Sequence, residues 1–152
     1  MDVEVNVIEI AGCTCLRLRR ATRRVTQIYD RFLEPAGLTS NQIGLLTHLY
    51  GASRSARAAL PIGVLAERVG MDPTTLNRNL KPLEAQGLVE DAADPEDGRV
   101  RAILITREGT TRLQKAVPFW RQAQTHLESA LGKEATLALN GLLDLSSAKL
   151  SG

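Results

Sequence analysis

From Pro61 to Thr106 the apolar positions change period twice. Ile62, Leu65 and Val69 recur at helical spacing, Ala66 leaves room for close packing, and Gly70 supplies a stop. After the short Gly70-Met71-Asp72-Pro73 turn, Leu76, Leu80 and Leu83 gather on one side of a second helix. Asp72 is its N-cap acceptor, Pro73 its first-turn proline, and Gly87 its C′ residue. Leu88 and Val89 then lead into a strand. Val100, Ala102 and Leu104 alternate with Arg101, Ile103 and Ile105, the period of a second strand, which leaves Ala92 to Arg99 as a hairpin loop. Two helices joined by a short glycine-containing turn and followed by a hairpin spell a winged helix-turn-helix.

Outside that module the chain reads as helix. Leu18, Ala21, Val25, Ile28 and Phe32 step by threes and fours up to Pro35-Ala36-Gly37. A second helix starts at Thr39, with Gln42 completing a capping box, and runs through Ile43, Leu46 and Leu49 to Gly51. The Gly/Ala/Ser/Arg run from Gly51 to Leu60 is a connection. Thr106 caps a long helix with Leu113, Ala116, Trp120, Ala123, Leu127 and Leu131 on one stripe, and a last helix with Leu139, Leu142, Leu143 and Leu150 follows Gly132. Pro82 and Pro118 fall inside helices, where each removes a hydrogen bond and predicts a kink; the one at Pro118 either shapes a cavity between the terminal helices and the winged module or is inert.

The expected fold is mainly α with a small β-hairpin wing. One domain spans residues 1–152, with a DNA-binding lobe over 61–106 and helical dimerisation regions over 8–34 and 107–150. Long terminal helices with apolar stripes need a cover, and a second copy of the chain is the economical one.

The candidate chemistry lies on the second helix and the hairpin. Opposite its packed side the helix carries Thr74, Asn77, Arg78 and Lys81, with Thr75 beside them: hydroxyls, an amide and cations suited to base edges and phosphates in a major groove. The hairpin tip Asp94-Pro95-Glu96-Asp97-Gly98-Arg99, with Arg101 two residues on, offers guanidinium groups to a minor groove or its phosphates. A merely solvated face, with Arg99 paired to Asp94 or Asp97, is the competing interpretation.

These residues carry a resemblance to the MarR family of bacterial transcription regulators. It rests on Asp97-Gly98-Arg99 followed by Ile103-Leu104-Ile105-Thr106, on Leu83-Glu84-Ala85-Gln86-Gly87-Leu88-Val89, and on Leu38-Thr39-Ser40-Asn41-Gln42. The resemblance implies a dimeric repressor of nearby genes, with double-stranded DNA and a homodimer partner. It matches the family's wing residues to Asp97 and Arg99 and its reading positions to Thr74 through Lys81. A two-fold dimer sets its two reading helices on half-sites about one DNA turn apart, so the expected operator is an inverted repeat, and the expected signal is a small-molecule effector or an oxidant. A winged helix that binds a ligand or protein without reading DNA is the alternative.

Charge and composition add little to that picture. A net charge of +2 is only mildly basic, so the placement of cations matters more than their sum. With aromatics at 3%, the core should be aliphatic. No apolar run is long enough for a membrane span or resembles a signal peptide, which places the chain in the cytoplasm with no membrane partner.

Cys13 and Cys15 open the first long helix beside Arg17, Arg19 and Arg20, surroundings that favour thiolate, and are candidate redox sensors. If both are helical they project about 200° apart and cannot easily bridge each other. The hydroperoxide-sensing branch of the MarR family is similar in carrying a reactive cysteine near this place. Its surrounding tyrosine pattern is absent, since Tyr29 and Tyr50 are the only tyrosines here. His48 sits in an apolar helix and His126 in a long amphipathic one, and both read as structural rather than catalytic residues. No metal site, cofactor loop or nucleophile elbow is present in the sequence, so an enzyme is not expected.

Overall fold

A computed structural model describes residues 3–151. In chain order the elements are α1 (Val7–Ala11), α2 (Thr14–Leu33), α3 (Ser40–Ser53), β1 (Leu60–Pro61), α4 (Ile62–Val69), α5 (Pro73–Ala85), β2 (Val89–Ala93), β3 (Arg101–Ile105), α6 (Arg107–Leu131) and α7 (Lys133–Leu150). The three strands form an antiparallel sheet in the order β1-β3-β2.

Local sequence sets most of these boundaries. Thr39 and Gln42 make the reciprocal capping box, with Thr39 N–H donating to Gln42 Oε1 at 3.0 Å and Gln42 N–H donating to Thr39 Oγ1 at 3.2 Å. α4 ends at Gly70, whose φ of 66° is left-handed and suits a residue without a Cβ. α5 and α6 continue through Pro82 and Pro118.

Two elements have no counterpart in the hydrophobic pattern. β1 is only two residues long and pairs Leu60 with Ile103 and Pro61 with Ala102, so it is too short to show a period. α1 buries none of its residues. The hairpin loop is displaced from its expected place: Ala92 pairs with Ala102 and Ala93 with Arg101, so β2 runs two residues further toward the tip, whereas β3 begins at Arg101 and leaves Val100 in the loop.

The core is aliphatic. Leu33, Leu45, Leu46, Leu49, Leu65, Leu76, Leu80, Leu83, Leu88 and Ile103 are fully buried where α2, α3, α4 and α5 meet the sheet. Ala102 and Ile103 are neighbours and both buried, because β3 is the central strand and is covered on both faces. α6 runs back along α2, burying Leu113, Ala116 and Ala123.

The terminal helices keep much of their apolar surface uncovered. Leu137, Leu142 and Leu150 of α7 are 64%, 62% and 83% exposed, and Leu16 and Leu18 at the start of α2 are exposed as well. No described helix is long and apolar enough to cross a membrane.

Candidate nucleic-acid interface

Helix α5 is aimed by its N-cap. Asp72 Oδ1 accepts the Thr75 backbone N–H at 2.9 Å and its Oδ2 accepts the Thr75 hydroxyl at 2.8 Å. Those two bonds hold the Asp72 carboxyl below the usual carboxylate range. They also spend the Thr75 hydroxyl proton, so Thr75 fixes the start of the helix while Thr74 stands exposed next to it. With Leu76, Leu80 and Leu83 packed inward, Arg78 and Lys81 project outward. Among the described residues neither cation forms a salt bridge.

The wing is a tight loop held by its own aspartates. Asp94 N–H donates to Val100 O at 3.1 Å, closing the hairpin, and Asp94 Oδ1 accepts Glu96 N–H at 2.8 Å. Asp97 Oδ1 accepts Arg99 N–H at 3.0 Å and lies 3.5 Å from Arg99 Nε. The Arg99 side chain is nonetheless 94% exposed, and a pair so open to water holds it only weakly. Arg99 therefore stands at the tip and Asp97 shapes the turn beneath it. Arg57, on the connection before β1, bridges to Glu96 across the loop.

Arg101 and Asn77 stand differently from the other residues singled out in the sequence. The Arg101 guanidinium donates from Nε to Asp91 Oδ1 at 2.7 Å, from Nη2 to Glu84 Oε1 at 2.7 Å, and from Nη1 to Asn77 Oδ1 at 3.0 Å. It ties β3 and β2 to both turns of α5 that face the wing. Arg101 thus does not project alongside Arg99, and its acceptors lie 10, 17 and 24 residues away in sequence, beyond the reach of any local pattern.

A second feature is a cavity of about 660 Å³ between α2, α3 and α6. Val25, Ile43, Leu113 and Trp120 wall it, with His48 and Arg121 as its basic groups. Tyr29 lines it too and donates its hydroxyl to Gln124 Oε1, whose Nε2 donates to Glu128 Oε1 at 2.9 Å. Burial, and then the nearby Glu128 carboxylate, push the Tyr29 hydroxyl above its ordinary pKa. His126 instead packs its ring against Phe32, with centroids 5.4 Å apart and planes tilted by 50°.

The cysteines flank a helix start. Cys13 is the N-cap of α2, with an extended backbone, and is half-buried; Cys15 is exposed. Because Cys13 precedes the helix, the angular separation of two helical residues does not apply to this pair. Arg17 donates to Gly12 O at 2.6 Å and Arg20 to Ala11 O at 3.4 Å, so both cap the end of α1. Tyr50 hydrogen-bonds Arg54 and Tyr29 lies in the cavity, so each tyrosine has a place of its own.

Comparison with known proteins bears on this arrangement. The family model described as the MarR family matches residues 36–100, from just before α3 to the hairpin loop before β3. The structure of the Mycobacterium tuberculosis transcriptional regulator MosR in complex with DNA superposes with a TM-score of 0.72 at 35% identity, covering 91% of this chain and 99% of that one. The organic hydroperoxide resistance transcriptional regulator of Bacillus subtilis is 26% identical over 117 residues, 77% of this chain and 76% of that protein. An HTH-type transcriptional regulator of the same organism is 29% identical over 86 residues, 57% of this chain; that match spans 49% of the relative, about half its length.

Proposed function

The chain belongs to the MarR family of transcription regulators, and from that premise we propose that it is a dimeric repressor that binds an inverted-repeat operator in duplex DNA. One observation carries this reading. Thr74, Arg78 and Lys81 on α5 and Arg99 on the wing are exposed cationic or hydrogen-bonding groups on a scaffold that holds their backbones rigidly. Helix α5 enters the major groove with Arg78 and Lys81 on bases and phosphates, while Arg99 reaches the neighbouring minor groove or its phosphates. Thr75 and Asp97 act from behind, capping the helix and shaping the tip.

The uncovered apolar surfaces of α1, α2 and α7 are closed by a second copy, which sets two α5 helices on half-sites about one turn apart. The cavity between α2, α3 and α6 receives the effector. Its apolar walls with Arg121 and His48 suit a small apolar molecule bearing negative charge. Oxidation at Cys13 or Cys15 is a second route to the same release, because both lie at the junction of α1 with α2.

Retention of genomic fragments by the purified protein tests the reading. The expected outcome is enrichment of fragments that share one inverted repeat; recovery in proportion to the input would contradict it.

A further inference from the structure

Resting on the reading that α5 lies in a major groove, we propose that Arg101 fixes the Asn77 carboxamide so that Asn77 meets DNA as a donor only. Arg101 is then a positioning residue that controls specificity without touching a base.

The chemistry of the two groups leaves one arrangement. A guanidinium has N–H donors and no acceptor, whereas a carboxamide has an oxygen that accepts and an NH2 that donates. Only the amide oxygen can face Arg101, and Asn77 Oδ1 accepts Arg101 Nη1 at 3.0 Å. Turning the amide over would put its NH2 against a cation and lose that bond. Asp91 and Glu84 steady the guanidinium as well, accepting from its Nε and Nη2 at 2.7 Å each. Asn77 is half-buried on the wing-side edge of the exposed α5 face, one residue before the exposed Arg78. Among the described residues its Nδ2 makes no hydrogen bond, which leaves the NH2 as the group available to a ligand.

Asparagine specifies adenine by a bidentate contact, accepting from the 6-amino group while donating to N7. Arg101 takes one of the two lone pairs of that oxygen and turns it toward the wing, so the NH2 is the end left facing DNA and supplies the donating half. Adenine N7, guanine N7 and O6, and thymine O4 all accept that bond, so the contact tolerates base changes. Arg101 also neutralises Glu84 and Asp91, two carboxylates that would otherwise face phosphates.

The experiment uses the full-length protein on its selected operator. The base pair facing Asn77 is located as the one where a base analogue lacking a single major-groove acceptor, purine N7, guanine O6 or thymine O4, weakens the wild type but not Asn77→Ala. With that pair set to A·T, removing the 6-amino group of adenine should leave wild-type affinity within about twofold, since no acceptor of Asn77 faces it. In Arg101→Met the amide is released, and affinity for A·T over G·C at that pair should rise about tenfold, whatever the uniform loss at all sequences. The double variant Asn77→Ala/Arg101→Met should lack the gain. A purely structural Arg101 would lower all affinities alike and leave the ratio unchanged.

The proposal is overturned if no base pair shows a penalty for losing N7, O6 or O4, if removing the 6-amino group costs the wild type about tenfold, or if Arg101→Met keeps the wild-type base preference. The wild-type measurements stand even where Arg101→Met fails to fold. Failure of the wild type to bind any duplex would instead strike the functional reading itself.

Discussion

The α-carbon of Gly109 lies so close to Leu88 that a Cβ built on it would sit 2.0 Å from the Leu88 carbonyl oxygen and 2.8 Å from Ile105 Cγ1. The first turn of α6 therefore rests directly on the backbone that leaves α5. Thr106 joins the same junction, donating its N–H to Leu88 O at 3.0 Å and its hydroxyl to Gly87 O at 2.6 Å.

Gly109→Ala should destabilise the fold although alanine is the better helix former by about 1 kcal/mol. Overpacking against backbone costs roughly 1–3 kcal/mol, and here the obstacle is a carbonyl that cannot rotate aside. Urea unfolding should show a lower midpoint with an unchanged slope. A midpoint at or above that of the wild type would show that α6 can shift freely.

The Asp72 cap gives a pH signature. Its carboxyl pKa is depressed in the folded state, so its contribution is full above the ordinary carboxylate pKa and fades as pH falls through the depressed value. Asp72→Ala should lower the melting temperature at neutral pH, and the gap to wild type should narrow in acid. A gap that stays constant or widens as pH falls would remove the cap from the stability of α5.

How much of this was legible in sequence depended on how locally each feature is made. Thr39 with Gln42, Asp72 with Pro73, and the left-handed Gly70 and Gly87 act over three or four residues, and each stands where the pattern placed it. β1 has no period to read, and it forms because β3 offers Leu60 and Pro61 a partner far along the chain, at Ile103 and Ala102. The cation spacing that grouped Arg101 with Arg99 was sound as a count. It could not reveal that Asp91, Glu84 and Asn77 converge on one of the two. A kink at Pro118 pointed to a cavity beside the terminal helices, but not to its walls, which come from helices distant in sequence, as Val25 and Trp120 are.

Assembly is tested at α7. Leu142→Asp, at a position 62% exposed in the single chain, should leave the monomer fold intact by circular dichroism and shift the species seen in sedimentation from dimer to monomer. A dimer that persists would take α7 out of the interface.

Peroxide treatment separates the cysteines. Wild type and Cys15→Ser should differ in how readily oxidant releases them from the operator, because Cys15 is the exposed thiol. Equal release from both, or none from either, would remove Cys15 from the response.

The most direct measurement is the salt-dependent affinity of Arg78→Ala and Arg99→Ala for the selected operator. A side chain withdrawn from a base should cost about 1–3 kcal/mol on the operator, and one withdrawn from a phosphate should weaken all duplexes alike and lower the salt slope by about one. Both variants are expected to bind more weakly than wild type at physiological salt while keeping its melting temperature. Wild-type affinity and an unchanged salt slope in both would contradict the assignment of α5 and the wing to DNA.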